Sequence, residues 1–217
     1  ARGLGERAGP APEAGLPPGA ITAPAPDRTR EPAGTSHFVV ADRYGNVVSM
    51  TTTVESIFGT GRMAGGFFLN NQLTDFSFSP IQADGTPAAN AVAAGKRPRS
   101  SMSPILVLDR DGRLVAALGS PGGSAILAYN LKTLVAVLDW EMSMQAAIDL
   151  PNLVARGDAY GGEAANLPEP VRQGLEARGA RIAPFRGEQS GLHGFVVREG
   201  GRLEGGADRR REGVVLQ

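Results

Sequence analysis

There is no cysteine among the 217 residues of this chain, which removes disulfides and thiolate metal sites from consideration. Histidine is almost as scarce. His37 and His193 are the only imidazoles, and no HExxH-like spacing sets them up as a metal site. Net charge is missing too: 22 Lys and Arg balance 22 Asp and Glu. Nothing in that balance calls for nucleic acid, and the basic run "ADRRREG" near the end is short. The longest apolar runs stop well short of the ~20 residues that cross a bilayer, so no membrane span is expected. No signal-peptide pattern opens the chain. Its first residue is Ala rather than Met, so residue 1 is not expected to be the natural start.

What is present is distributed unevenly. Apolar residues make up 41% and charged residues 20%, ordinary values for a globular protein. The length suits one domain with a full core. Residues 1–34 are Ala, Pro, Gly and charge without periodicity. They cannot bury enough apolar area to offset their ordering entropy and are expected to be a poorly ordered linker. From His37 the pattern changes. "HFVVAD" and "VVSMTTTV" flank "RYGN" as a hairpin, "GGFFLNN" reads as a short strand, and residues 78–99 form a long loop. "PILVLDRDGRLVAALG" is a second hairpin turning at Asp111-Gly112. "GSPGGS" then opens a helix whose residues 126, 127, 131, 134, 135 and 138 give an apolar stripe, expected to pack on a sheet. A helix capped by Ser143, a third from "LPEPVRQGLEARG" and a closing hairpin "GFVVREGGRLEGG" complete the chain. Such alternation implies an α+β layered domain with largely antiparallel sheets.

The chemistry concentrates in four places. At the first, "AGTSHF" places Thr35 behind Gly34. If the hairpin loop is Tyr44-Gly45-Asn46, Thr35 faces Glu55 and Thr53 lies diagonally on the same face. Threonine is a weak nucleophile until a base takes its proton, and its own α-amine serves when it heads the chain. A small residue before it allows close approach to the scissile carbonyl. The plainer reading is a Gly-Thr that starts a strand. At the second, the glycines of "GSPGGS" present N–H groups to an oxyanion, or simply turn a strand into a helix. At the third, the serines of "KRPRSSMSP" make a carboxylate cradle or a solvated loop. At the fourth, Gln72 and Asp75 of "NNQLTDF" bind an ammonium group or cap a turn.

Taken together, "TSHFVVADRYGNVVSMTTTVESIFGTGR", "LNNQLTDFS", "ANAVAAGKRPRSSMSP", "GSPGGS" and the terminal "GGADRRREG" resemble the successive motifs of the gamma-glutamyltransferase (glutathione hydrolase) small subunit. The likeness runs from about Thr35 to the end. It implies an αββα sandwich of the N-terminal-nucleophile hydrolase type, with residues 1–34 as the tail of the large subunit and 35–217 as the small-subunit catalytic domain. The precursor is then expected to cut itself between Gly34 and Thr35. By the same resemblance Thr35 is the nucleophile, Thr53 holds its hydroxyl, and Gly122 and Gly123 form the oxyanion hole. Ser100 and Ser101 hold the substrate α-carboxylate; Gln72 and Asp75 hold its α-ammonium. The implied partners are the large subunit, in a heterodimer, and a γ-glutamyl compound such as glutathione. No cofactor or metal is implied, and a periplasmic or secreted location is.

Two positions depart from the pattern. Glu55 stands where the best-known members carry Asn beside the ammonium, and Arg99 occupies a commonly apolar slot by the carboxylate cradle. The loop of residues 78–92, in the lid region, looks short and hints at an open site. The family's large subunit also supplies an arginine for the α-carboxylate that no motif here provides, so the chain reads as a fragment of a precursor or a truncated protein. Glu55 also motivates an alternative, an amidase for glutaryl-type acyl groups. The intact linker ahead of Thr35 motivates another, a non-matured and inactive module.

Overall fold

The computed structural model describes residues 15, 16, 18, 19, 25, 34–156, 159–185 and 187–216. The expected linker, residues 1–34, thus lies mostly outside the described residues. In chain order the elements are β1 (Thr35–Ala41), β2 (Val47–Thr53), β3 (Met63–Ala64), β4 (Phe67–Phe68), β5 (Ile105–Leu108), β6 (Leu114–Gly119), α1 (Ile126–Leu138), α2 (Met144–Asp149), β7 (Leu153–Arg156), β8 (Ala159–Gly162), α3 (Glu169–Ala177), β9 (Ile182–Pro184), β10 (His193–Val197) and β11 (Leu203–Ala207). The described residues gather into two compact units. One takes in Thr35–Thr52 and the chain from Met102 on; the other takes in Gly34 and Thr53–Ser101.

The first unit is built on the antiparallel sheet β11-β10-β6-β5. Its two hairpins form where turn residues require them. Asp109 N–H donates to Arg113 O (2.8 Å) around Gly112 at φ +78°, and Arg198 N–H donates to Arg202 O (2.8 Å) around Gly200 and Gly201. Positive φ is nearly free for glycine and costly for other residues. Alternation then sorts the faces. Ala116 and Val196 point into a buried cluster with Tyr129, Ala136 and Val137 of α1 and Met144, Ala147 and Ile148 of α2. On the opposite face Gly119 lies under the His37 ring of β1, so close that a Cβ there would sit 2.3 Å from His37 Cε1.

Helix α1 buries a different face from the one its leucines suggest. Ile126, Tyr129, Asn130, Thr133, Ala136 and Val137 are buried, whereas Leu127 and Leu131 are 61% and 62% exposed. Both faces satisfy helical spacing, and counting large aliphatics selects the wrong one. Two polar groups of the buried face are bonded: Asn130 Nδ2 donates to Ser103 O (2.9 Å) and Thr133 Oγ1 to Tyr129 O (3.0 Å). Asn130 Oδ1 is buried with no partner among the described residues. Helix α2 is capped as expected, with Ser143 Oγ accepting from Ala146 N–H. Helix α3 ends at Gly179, φ +89°. The pairing of β8 with β9 is parallel, with α3 as the crossover, in a chain expected to be largely antiparallel.

The β1–β2 turn is closed by Asp42 N–H to Asn46 O (3.0 Å), with the Asp42 carboxylate accepting from Tyr44 and Asn46 N–H. The three-residue loop is therefore Arg43–Gly45, one residue earlier than expected. Its odd length preserves the parity of the two strands, but each β2 partner moves two residues toward the turn. In the second unit "GGFFLNN" contributes its expected short strand, two residues of a small ribbon with Met63 opposite Phe68. Residues 78–99 hold no helix or longer strand, as expected of a loop, only the isolated bridges of Ile81 to Pro87 and of Ala88 to Ala25. Among the described residues no helix is long and apolar enough to cross a membrane.

The two faces of the helical layer should respond differently to truncation. Ile148→Ala, in the buried cluster, should cost about 2–4 kcal/mol of unfolding free energy, whereas Leu131→Ser should stay within about 0.5 kcal/mol. Denaturant titration of both variants checks the assignment.

Candidate active site

In the second unit the site begins with a bed for Gly34. A Cβ on Gly34 would stand 2.3 Å from Glu55 O and 3.1 Å from Ser56 C, so only glycine fits. This closeness lets Thr53 Oγ1 donate to the Gly34 carbonyl (3.3 Å) while accepting from Glu55 N–H (2.8 Å). The resemblance implied that Thr53 serves the Thr35 hydroxyl; the bond seen here runs from the Thr53 hydroxyl to the carbonyl ahead of Thr35. Glu55 is buried at φ +73°, a backbone conformation unusual for a residue with a side chain.

Gln72 and Asp75 lie on a short 3-10 turn. The Gln72 amide donates to Asp75 Oδ2 and reaches Glu55 Oε2 at 3.5 Å, so one amide stands between two buried carboxylates. Asp75 Oδ1 is buried and receives no hydrogen bond from the described residues. Such an oxygen pays its desolvation cost unless a donor arrives. An ammonium group is the donor that suits it. Asn90, read in the sequence only as part of a loop, is buried: its amide donates to Asp75 O and its Oδ1 accepts from Arg99 N–H (3.0 Å). It thereby ties the acidic turn to the residue that precedes the serine pair. Ser100 is exposed and Ser101 half-buried.

In the first unit Thr35 opens β1 and is 6% exposed. Its carbonyl accepts from Arg211 Nη1 (3.2 Å), a contact across 176 positions that nothing in the sequence pattern signals. Gly122 and Gly123 adopt φ +139° and +52° just before α1, so consecutive N–H groups turn at the positive end of a helix. His37, two residues beyond Thr35, bonds Thr51 Oγ1 through Nδ1 (2.8 Å), and its Nε2 is buried with no partner among the described residues. Burial first, and the charge of His193 second, hold its pKa down at about 4. It is thus neutral in the folded protein near pH 7.

The gamma-glutamyltranspeptidase family model matches residues 10–217. The chain is 36% identical over 185 residues to a glutathione hydrolase proenzyme of Bacillus subtilis, an alignment that takes in 84% of this chain and 30% of the relative. It is 35% identical over 188 residues to an acylase ACY 1 proenzyme of a Pseudomonas species, covering 86% and 32% respectively. The chain thus spans under a third of the length of these curated relatives. Among solved structures, gamma-glutamyltranspeptidase from Pseudomonas nitroreducens in complex with L-DON superposes with a TM-score of 0.70 at 32% identity, covering 83% of this chain and 98% of that one.

The buried neutral imidazole makes a pH test available. Because the folded-state pKa of His37 lies below its unfolded value of about 6.5, the unfolded chain binds more protons between pH 6.5 and 4. Stability is therefore intact above pH 6.5 and lost as pH falls, by about 2 kcal/mol at pH 5. Chemical denaturation at pH 7 and pH 5 should show that loss in the parent chain, and His37→Gln should remove most of the difference.

Proposed function

Since the chain belongs to the gamma-glutamyltranspeptidase family, we propose that it is the nucleophile-bearing part of a self-cleaving acyl-transfer enzyme acting on γ-glutamyl amides such as glutathione. The observation that carries this reading is the Gly34 carbonyl, bedded against Glu55 and held by the Thr53 hydroxyl. In maturation the Thr35 Oγ attacks the Gly34 carbonyl carbon, and Thr53 donates to the oxygen as it gains charge. The proton of the attacking hydroxyl passes to the amide nitrogen as the C–N bond breaks, the nitrogen leaves as an amine, and water opens the resulting ester. The chain then carries a free α-amine beside the hydroxyl of its first residue.

Turnover repeats the chemistry on substrate. Thr35 Oγ attacks the γ-glutamyl carbonyl, its own amine takes the proton, and Gly122 and Gly123 N–H receive the oxyanion. The amine product departs with a proton, and water or an amino acid resolves the acyl-enzyme. Asp75, Glu55 and Gln72 are assigned the α-ammonium, and Ser100 and Ser101 the α-carboxylate, with Arg99 adding a cation on that side. The relatives' proenzyme names support a partner subunit cut from the same precursor, and the same kinship supports an extracytoplasmic site of action.

The acylase relative raises the glutaryl alternative. Chemistry favours γ-glutamyl. Two buried carboxylates flanking one amide suit an α-ammonium, which a glutaryl group lacks. Expressed from its whole reading frame, the protein should hydrolyse γ-glutamyl anilide at least ten-fold faster than glutaryl anilide; the reverse order would favour the alternative. Thr35→Ala should abolish both cleavage and turnover, and Gly34→Ala, by lifting the carbonyl from Thr53, should slow cleavage about ten-fold or more. Gel analysis over time reads the first event and anilide release the second. Normal cleavage of Thr35→Ala would remove Thr35 from the mechanism.

A further inference from the structure

Arg211 sits in a segment to which the sequence assigns no role, yet its side chain reaches the main chain of Thr35. Nη1 donates to Thr35 O at 3.2 Å, while Nη2 donates to Gln189 O at 3.0 Å and to the Glu188 carboxylate. The same short segment grips the glycine turn from its other side. Tyr129 OH donates to Glu188 O (2.9 Å), and the Tyr129 ring lies so close to Gly122 that a Cβ there would meet Cε2 at 2.5 Å. Gly191 N–H donates to Ser120 Oγ (3.2 Å), and a Cβ on Gly191 would strike both Arg211 Cδ (2.7 Å) and Pro121 Cγ (2.8 Å). Residues 188–191 therefore touch Arg211 on one flank and Ser120 and Pro121 on the other, and they reach Gly122 through Tyr129.

We infer that Arg211 is a positioning residue, which with the brace formed by Glu188, Gly191 and Tyr129 fixes the separation between the Thr35 nucleophile and the Gly122–Gly123 donors. This rests on the acyl-transfer reading above. Attack requires the hydroxyl and the oxyanion donors to be held to a fraction of an ångström, and a misplacement of about 1 Å can cost a hundredfold in rate. Arginine suits the task because its planar fork satisfies three acceptors at once, which a lysine ammonium on a flexible stem does less well. The Glu188 side chain is 6% exposed and that of Arg211 34%, so their ion pair is sheltered on the carboxylate side. No bond is made or broken by the brace; it acts through the main chain of Thr35.

The test uses the protein expressed from its whole reading frame, with γ-glutamyl anilide as the probe. Arg211→Met should lower kcat at least ten-fold with KM within two-fold of the parent, and Arg211→Lys should recover part of kcat. A folded Arg211→Met protein that fails to mature also supports the brace, because maturation uses the same hydroxyl. Tyr129→Phe keeps the ring on Gly122 but frees the Glu188 carbonyl, and it should lower kcat at least three-fold with unchanged KM; it decides the matter if Arg211→Met does not fold. An Arg211→Met kcat within two-fold of the parent would overturn the inference, as would a loss that follows the fall in Tm with no recovery in Arg211→Lys. An inactive parent takes down the acyl-transfer reading and this inference together. An active parent with unaltered Arg211→Met and Tyr129→Phe removes only the inference.

Discussion

The 2.3 Å that would separate a side-chain carbon on Gly34 from the Glu55 carbonyl is the constraint from which the local geometry around Thr53 follows. Without that approach the Gly34 carbonyl would not meet the Thr53 hydroxyl, and Thr53 is itself held by an N–H from Glu55. The same Glu55 accepts the unusual backbone angle and offers its carboxylate toward Gln72. One residue thus packs against Gly34 through its main chain and faces the Gln72 amide through its side chain. The N-terminal-nucleophile hydrolase fold supplies the setting, α+β with an αββα arrangement shared with the solved gamma-glutamyltranspeptidases.

Local chemistry was legible in the sequence where it depends on neighbours along the chain. The turn at Asp111-Gly112, the Ser143 cap and the closing hairpin all appear as read, because each is decided by the φ preference or hydrogen-bonding reach of one or two residues. The motif resemblance pointed to the family, which the comparisons bear out. What escaped was set by packing. Two faces of α1 obey the same periodicity, and only the sheet decides that Ala136 and Thr133 go inward while Leu131 stays out. The β1–β2 loop had the expected length parity but the wrong frame, because Asp42 can close the turn with its own carboxylate. Arg211 and Thr35 are brought together only by the folded chain.

Charge is sorted with similar economy in each unit. The acidic turn at Gln72–Asp75 and the cation at Arg99 are linked by one buried amide, Asn90, so opposite charges are tied together through a single side chain. In the other unit Asp208, wholly buried, is answered by Arg210, which also pairs with Glu163 and donates to the Ile148 and Leu150 carbonyls. The consecutive arginines 210 and 211 therefore have separate tasks, one closing a polar network beneath α2, the other reaching the first residue of β1. What reads as a basic run in the sequence is almost neutralised in the fold.

The outward leucines of α1 have a colloidal consequence. Leu127, Leu131 and Leu138, with Trp140 just beyond, face solvent on a chain whose formal charge at neutral pH is zero, so copies meeting in solution are not held apart by electrostatic repulsion. Acidic buffers would restore repulsion but would also protonate the His37 imidazole of β1. Mildly alkaline, low-salt conditions give the molecules a common negative sign while that ring stays neutral, and there the preparation should concentrate furthest before it clouds.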